Sequence, residues 1–110
     1  MADFNTNQNN FNYKTISLID SNETEGAGSY FDLPTGKSGM GQIFFGDAVG
    51  YALFIFNAAG EVTLIYNSAN VFTTLQTGTN HVIIKDNGTN VRIVNELGST
   101  TSFTLIIMYS

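Results

Sequence analysis

The chain has 110 residues, enough for one modest core, and no cysteine, which excludes disulfide staples and thiol chemistry. Charged residues make up 12% of it, against roughly 25% in ordinary globular chains, and amides, hydroxyls and glycine supply the polarity instead. The net charge is −5 and the four cations Lys14, Lys37, Lys85 and Arg92 are scattered, so no basic stripe exists to neutralise phosphates and nucleic acid is not an expected partner.

Residues 1–12 are polar and amide-rich, with Phe4 and Phe11 as isolated apolar anchors. Such a stretch cannot bury enough surface to offset its own ordering entropy. It is expected to be an extended arm that orders against a partner, with Phe4 and Phe11 as the docking side chains. It has neither the basic nor the apolar region of a secretory leader. No apolar run approaches the roughly 18 residues of a membrane-spanning helix, so no membrane partner is expected either.

Residues 13–110 read as the folded domain. Apolar residues alternate over 13–19, a loop with three acidic residues follows over 20–28, and a short strand over 30–33 ends at Pro34, the only proline. A glycine-rich loop over 35–41 leads to a strand over 42–45. Residues 51–56, YALFIF, are the most apolar run, and Asn57-Ala58-Ala59-Gly60 then turns the chain into an alternating strand over 61–66, a β-hairpin. A short helical turn is possible only near residues 68–70. Further strands are expected over 71–74, 81–85 and 91–94. Asn87-Gly88 between the last two is a type I′ signal, since both central residues of that turn need φ > 0. After a polar turn over 95–99, the last strand over 102–109 puts Phe103, Leu105, Ile107 and Tyr109 on one face and Thr104, Ile106 and Met108 on the other.

No segment keeps a 3.6-residue period. About eight short strands with turn signals between them predict an all-β fold: a small antiparallel sandwich, jelly-roll-like, preceded by the arm. Residues 51–56 and 102–109 are apolar on both faces, whereas a sandwich this small has one inner layer. Their outward sets, Ala52, Phe54 and Phe56 on one strand and Ile106 and Met108 on the other, are therefore expected to form an interface, and Phe54, Phe56, Ile106 and Met108 are its candidates.

Chemistry-bearing motifs are weak. Gly36-Lys37-Ser38 ends like a phosphate loop, but Phe31 stands where that loop needs its first glycine, so a turn is expected at Pro34-Thr35-Gly36. In the acidic loop Gly26 comes one residue late for a calcium loop and Phe31 replaces the bidentate glutamate. His81 is the sole histidine and begins a strand, so no histidine pair holds a metal. The carboxylates Asp32, Asp47, Glu61, Asp86 and Glu96 all fall at turns or strand ends, where acidic residues serve local purposes. No catalytic constellation emerges, and neither enzymatic activity nor a cofactor is expected.

Several patterns in the second half form a group: Asn57 to Tyr66 (NAAGEVTLIY), Ser68-Ala69-Asn70-Val71, Asp86 to Val91 (DNGTNV), Val94 to Ser99 (VNELGS), and the apolar strand ending in Tyr109. Together they resemble the C-terminal domains of bacteriophage head-fibre and tail-fibre proteins. The resemblance implies a trimeric virion component exposed on the particle after synthesis in the host cytoplasm. Fibres carry a long shaft before such a domain, whereas a short polar arm precedes it here. That favours a small capsid-decorating or head-fibre protein held to other virion proteins by the arm. The alternative is a tail-fibre knob that recognises a host-surface glycan through Tyr30, Asn67 and Asn70.

Overall fold

A computed structural model of the chain describes residues 10–21, 26–45, 50–68, 71–74 and 80–109. Nine strands are present: β1 (Asn10–Leu18), β2 (Tyr30–Asp32), β3 (Gly39–Phe45), β4 (Tyr51–Phe56), β5 (Val62–Asn67), β6 (Phe72–Thr73), β7 (His81–Asp86), β8 (Val91–Glu96) and β9 (Thr101–Tyr109). They form a five-stranded sheet in the order β1-β9-β3-β4-β5 and a four-stranded sheet in the order β2-β8-β7-β6. All pairings are antiparallel except β6 with β7, a two-residue parallel contact. The expected small all-β sandwich is the fold. The chain crosses between sheets from β1 to β2 to β3, from β5 to β6 and from β8 to β9, while β3, β4 and β5 stay together in one sheet and β6, β7 and β8 in the other.

Core side chains come from both inner faces. Ile43, Ala52, Phe54, Phe103 and Leu105 from the larger sheet meet Phe72, Val82, Ile84, Val91 and Ile93 from the smaller one, all nearly inaccessible to water. Each large side chain buried this way contributes roughly 1.5–3 kcal/mol. Phe45 packs edge-on against Phe103 at 5.4 Å between ring centres and tilts against Phe72 at 5.7 Å.

Gly41 on β3 decides the inner phase of β4. It lies opposite Phe54, and a Cβ there would fall 2.3 Å from Phe54 Cζ and 2.7 Å from Ile107 Cδ1. The missing side chain is the space the ring occupies. This overturns the expected outward placement of Ala52, Phe54 and Phe56: Ala52 and Phe54 are fully buried and Phe56 is 6% exposed. Tyr51, Leu53 and Ile55 face outward instead.

Three turns depart from expectation or refine it. The β4–β5 turn forms as expected: Gly60 N–H donates to Asn57 O, Gly60 takes φ +93°, and Asn57 Oδ1 accepts from the N–H groups of Ala59 and Glu61. Gly60 is also pressed against Asn90 of the β7–β8 turn, where a Cβ would sit 2.9 Å from the Asn90 nitrogen. That second turn is not type I′. Asp86 pairs with Val91, Gly88 alone has φ > 0, and Asp86 Oδ1 accepts from Gly88 N–H, so the side chain of Asp86 draws four residues into the loop. In the third, Asn95 and Glu96 belong to β8 and are buried, rather than forming a turn. The bend begins at Leu97, with Gly98 at φ +99°.

Asn95 is a tie between the sheets. Its Nδ2 donates to Leu18 O at 2.8 Å and to Ser99 O at 2.9 Å, and its Oδ1 accepts from Leu97 N–H at 2.9 Å. Its main chain bonds Ser29 and Ser21. A buried amide satisfied this fully fixes the β1 and β8 ends together, since every alternative placement leaves several polar groups unpaired.

Candidate functional site

The outer face of the five-stranded sheet carries most of the exposed large hydrophobic side chains among the described residues. Side-chain alternation sets it, and the registers align its rows. One row runs Tyr13, Ile106, Gln42, Leu53, Tyr66 across all five strands. The row beside it holds Met108, Met40, Ile55 and Thr63, and the row on the other side Thr15, Thr104, Phe44 and Tyr51. A bulge at Leu53/Phe54 brings Ile65 to this face as well. Exposure reaches 65% at Tyr13, 55% at Ile65 and Tyr66, 46% at Ile55 and 39% at Met108. None of the strand residues on this face is charged.

Within the face the aromatics are already organised. Phe44 and Tyr51 lie 6.3 Å apart between ring centres, and Tyr51 and Tyr66 lie 5.8 Å apart. Tyr51 Oη donates to Gln42 Oε1 at 3.0 Å, which fixes the ring and gives the amide oxygen in the middle of the patch a partner. Rigid rings and aliphatic side chains without charge are what a desolvated contact surface needs, because nothing polar is stranded when water leaves.

The expected interface residues divide. Ile106 and Met108 are on this face, Ile106 half-buried among its neighbours and Met108 exposed. Phe54 and Phe56 are in the core, and Leu53 and Ile55 stand on the outer face in their place. Phe11 is in β1 with its backbone opposite Met108, so the strand begins at Asn10 and not at residue 13. Phe4 lies outside the described residues, as do Asp47 and Asn70 and the helical turn expected near Asn70.

Tyr30 and Asn67, two of the three residues expected to bind a glycan, are not brought together. Tyr30 is on β2, one edge of the smaller sheet, and the Arg92 guanidinium stacks 3.7 Å from its ring centre. The Asn67 side chain bonds both the N–H and the C=O of Phe72 on β6, the opposite edge. Its amide holds the fold.

The carboxylates each have local work. Asp32 receives Arg92 in a two-pronged pair, Nε to Oδ1 at 2.7 Å and Nη2 to Oδ2 at 3.0 Å. Glu61 Oε1 accepts from Asn57 Nδ2, Asp86 caps its turn, and Glu96 Oε2 accepts from the Ser21 hydroxyl. His81 opens β7 opposite Glu96. Among the described residues no group of three or more histidine, cysteine or acidic side chains is placed to hold a metal ion, and no helix is long and apolar enough to cross a membrane. Thr35-Gly36 forms a turn with Gly36 at φ +76°, as the sequence suggests.

Comparison with protein-family models, with curated proteins and with solved structures gave no match.

Proposed function

We propose that the chain is a structural subunit of a bacteriophage particle, a small capsid-decorating or head-fibre protein that works as a homotrimer on the virion surface. The observation that carries this reading is the uncharged outer face of the five-stranded sheet. Five strands of six to nine residues present roughly 500–700 Å² there, so a ring of three copies buries about 1,500–2,100 Å² in all, about 500–700 Å² at each of its three contacts. A chain of net charge −5 also repels its copies, and a face free of charge is where that repulsion is weakest.

In a ring of three, the β1–β9 half of one face meets the β4–β5 half of the next, a head-to-tail contact that closes. Tyr13, Ile106 and Met108 then pack against Leu53, Ile55, Ile65 and Tyr66. Support for the particle comes from the turn and strand patterns of the second half, which resemble fibre C-terminal domains. The arm is the element left to join other virion proteins.

Sedimentation equilibrium of the purified chain tests the assembly. The expected mass is three times 11.9 kDa, about 36 kDa, and a chain of 11.9 kDa at tens of micromolar contradicts it. Gold-labelled antibody against the chain tests the particle: label on capsids or tails supports the reading, and label confined to particle-free lysate opposes it.

A further inference from the structure

A second surface lies on the other side of β1, between the sheets. At one end of this side the sheets are tied together by Asn95 Nδ2 on Leu18 O and by Ile19 N–H on Gly28 O. Towards Asn12 they part and leave a cavity of about 220 Å³. Leu33, Leu105 and Ile107, all buried, line its floor, and Asn12, Lys14 and Phe31 stand at its mouth. The Lys14 ammonium sits 4.8 Å from the centre of the Phe31 ring.

The strand beside this cavity has a free edge. β1 ends the five-stranded sheet and pairs only with β9 among the described strands, so its other edge presents main-chain donors and acceptors with no strand beside them. An open edge of this kind is a template for an added strand, and a pocket next to it selects that strand's side chains.

We propose that an extended segment of a partner protein adds to the free edge of β1, seating one large apolar side chain in the cavity and a carboxylate beside Lys14. A cavity of about 150 Å³ admits benzene, so this one has room for a phenyl ring with its methylene. Side chains two residues apart share a face of a strand, so the matching pattern is an aromatic residue, any residue, then an acidic one. Lys14 faces Leu105 across the ladder and therefore points to the cavity side. Burial of the ring supplies most of the affinity, and the exposed lysine supplies register. The site lies on the inner side of β1, so copies packed on the outer sheet face leave it open.

The test uses the full chain and the capped hexapeptide Ac-Thr-Thr-Phe-Thr-Asp-Thr-NH2, followed by amide and methyl NMR. Saturable shifts are expected in the amides of β1 together with the methyls of Leu33, Leu105 and Ile107. Replacing the peptide's Phe by Ala should weaken binding roughly 10–100-fold. Lys14→Glu should weaken the acidic peptide several-fold and strengthen binding of a version with Lys in place of Asp, a swap that a misfolded variant cannot produce. Absence of saturable shifts at millimolar peptide overturns the proposal. So do shifts confined to another surface, methyl shifts without β1 amide shifts, or indifference of both peptides to Lys14→Glu.

Discussion

The two outer faces of the sandwich are built from the same kind of strand and have opposite characters. On the four-stranded sheet, Asp32, Arg92 and Lys85 stand abreast across β2, β8 and β7, and Arg92 is both paired with Asp32 and stacked on Tyr30. The apolar pair on that face, Ile83 opposite Val94, is fully buried. On the outer face of the five-stranded sheet no strand residue is charged, and Ile55, Ile65, Tyr66 and Met108 remain open. One face carries charge and keeps its apolar pair covered, and the other does neither. Five of the six large hydrophobic side chains that stay exposed are on that second face, and the proposed assembly rests on this contrast.

The comparison can be broken first inside β4, where neighbours serve different roles. Phe54→Ala should lower subunit stability by about 3–5 kcal/mol, read by urea denaturation, because the ring fills the space over Gly41. Asn95→Ala should cost about 2–4 kcal/mol in the same measurement, since the buried carbonyls of Leu18 and Ser99 and the Leu97 N–H lose their partner. Ile55→Asp should leave the far-UV spectrum of the subunit unchanged and shift the mass in light scattering to that of a single chain, because a desolvated carboxylate has no partner on an uncharged face. The smallest effect belongs to the other face. Arg92→Ala should cost less than about 1 kcal/mol and leave the mass unchanged, as a partly exposed ion pair is worth little.

Much of the fold was legible because strand and turn chemistry are local. Alternation located β5, and Asn57 to Gly60 named its own turn. The phase of β9 was legible too, since Ser102 and Thr104 mark its outer side. The phase of β4 was not. Both alternating sets, Tyr51-Leu53-Ile55 and Ala52-Phe54-Phe56, are apolar, and the choice rests on Gly41, which lies across the ladder and 13 residues away in sequence. Asn95 and Glu96 were legible only as turn formers, because partners as distant as Leu18 and Ser21 are what allow them to be buried. The cavity beside β1 has no sequence signal at all, since it arises where two sheet edges diverge.

Thiol labelling tests the contrast between the faces most directly, and the absence of native cysteine makes it clean. Single Ile55→Cys and Lys85→Cys variants would be treated with a maleimide at concentrations above and below the assembly midpoint. The account predicts that the thiol at 55 reacts at least about tenfold more slowly than that at 85 when concentrated, and that the gap closes on dilution. Equal rates at every concentration would show that the uncharged face stays in water, and would contradict the assembly.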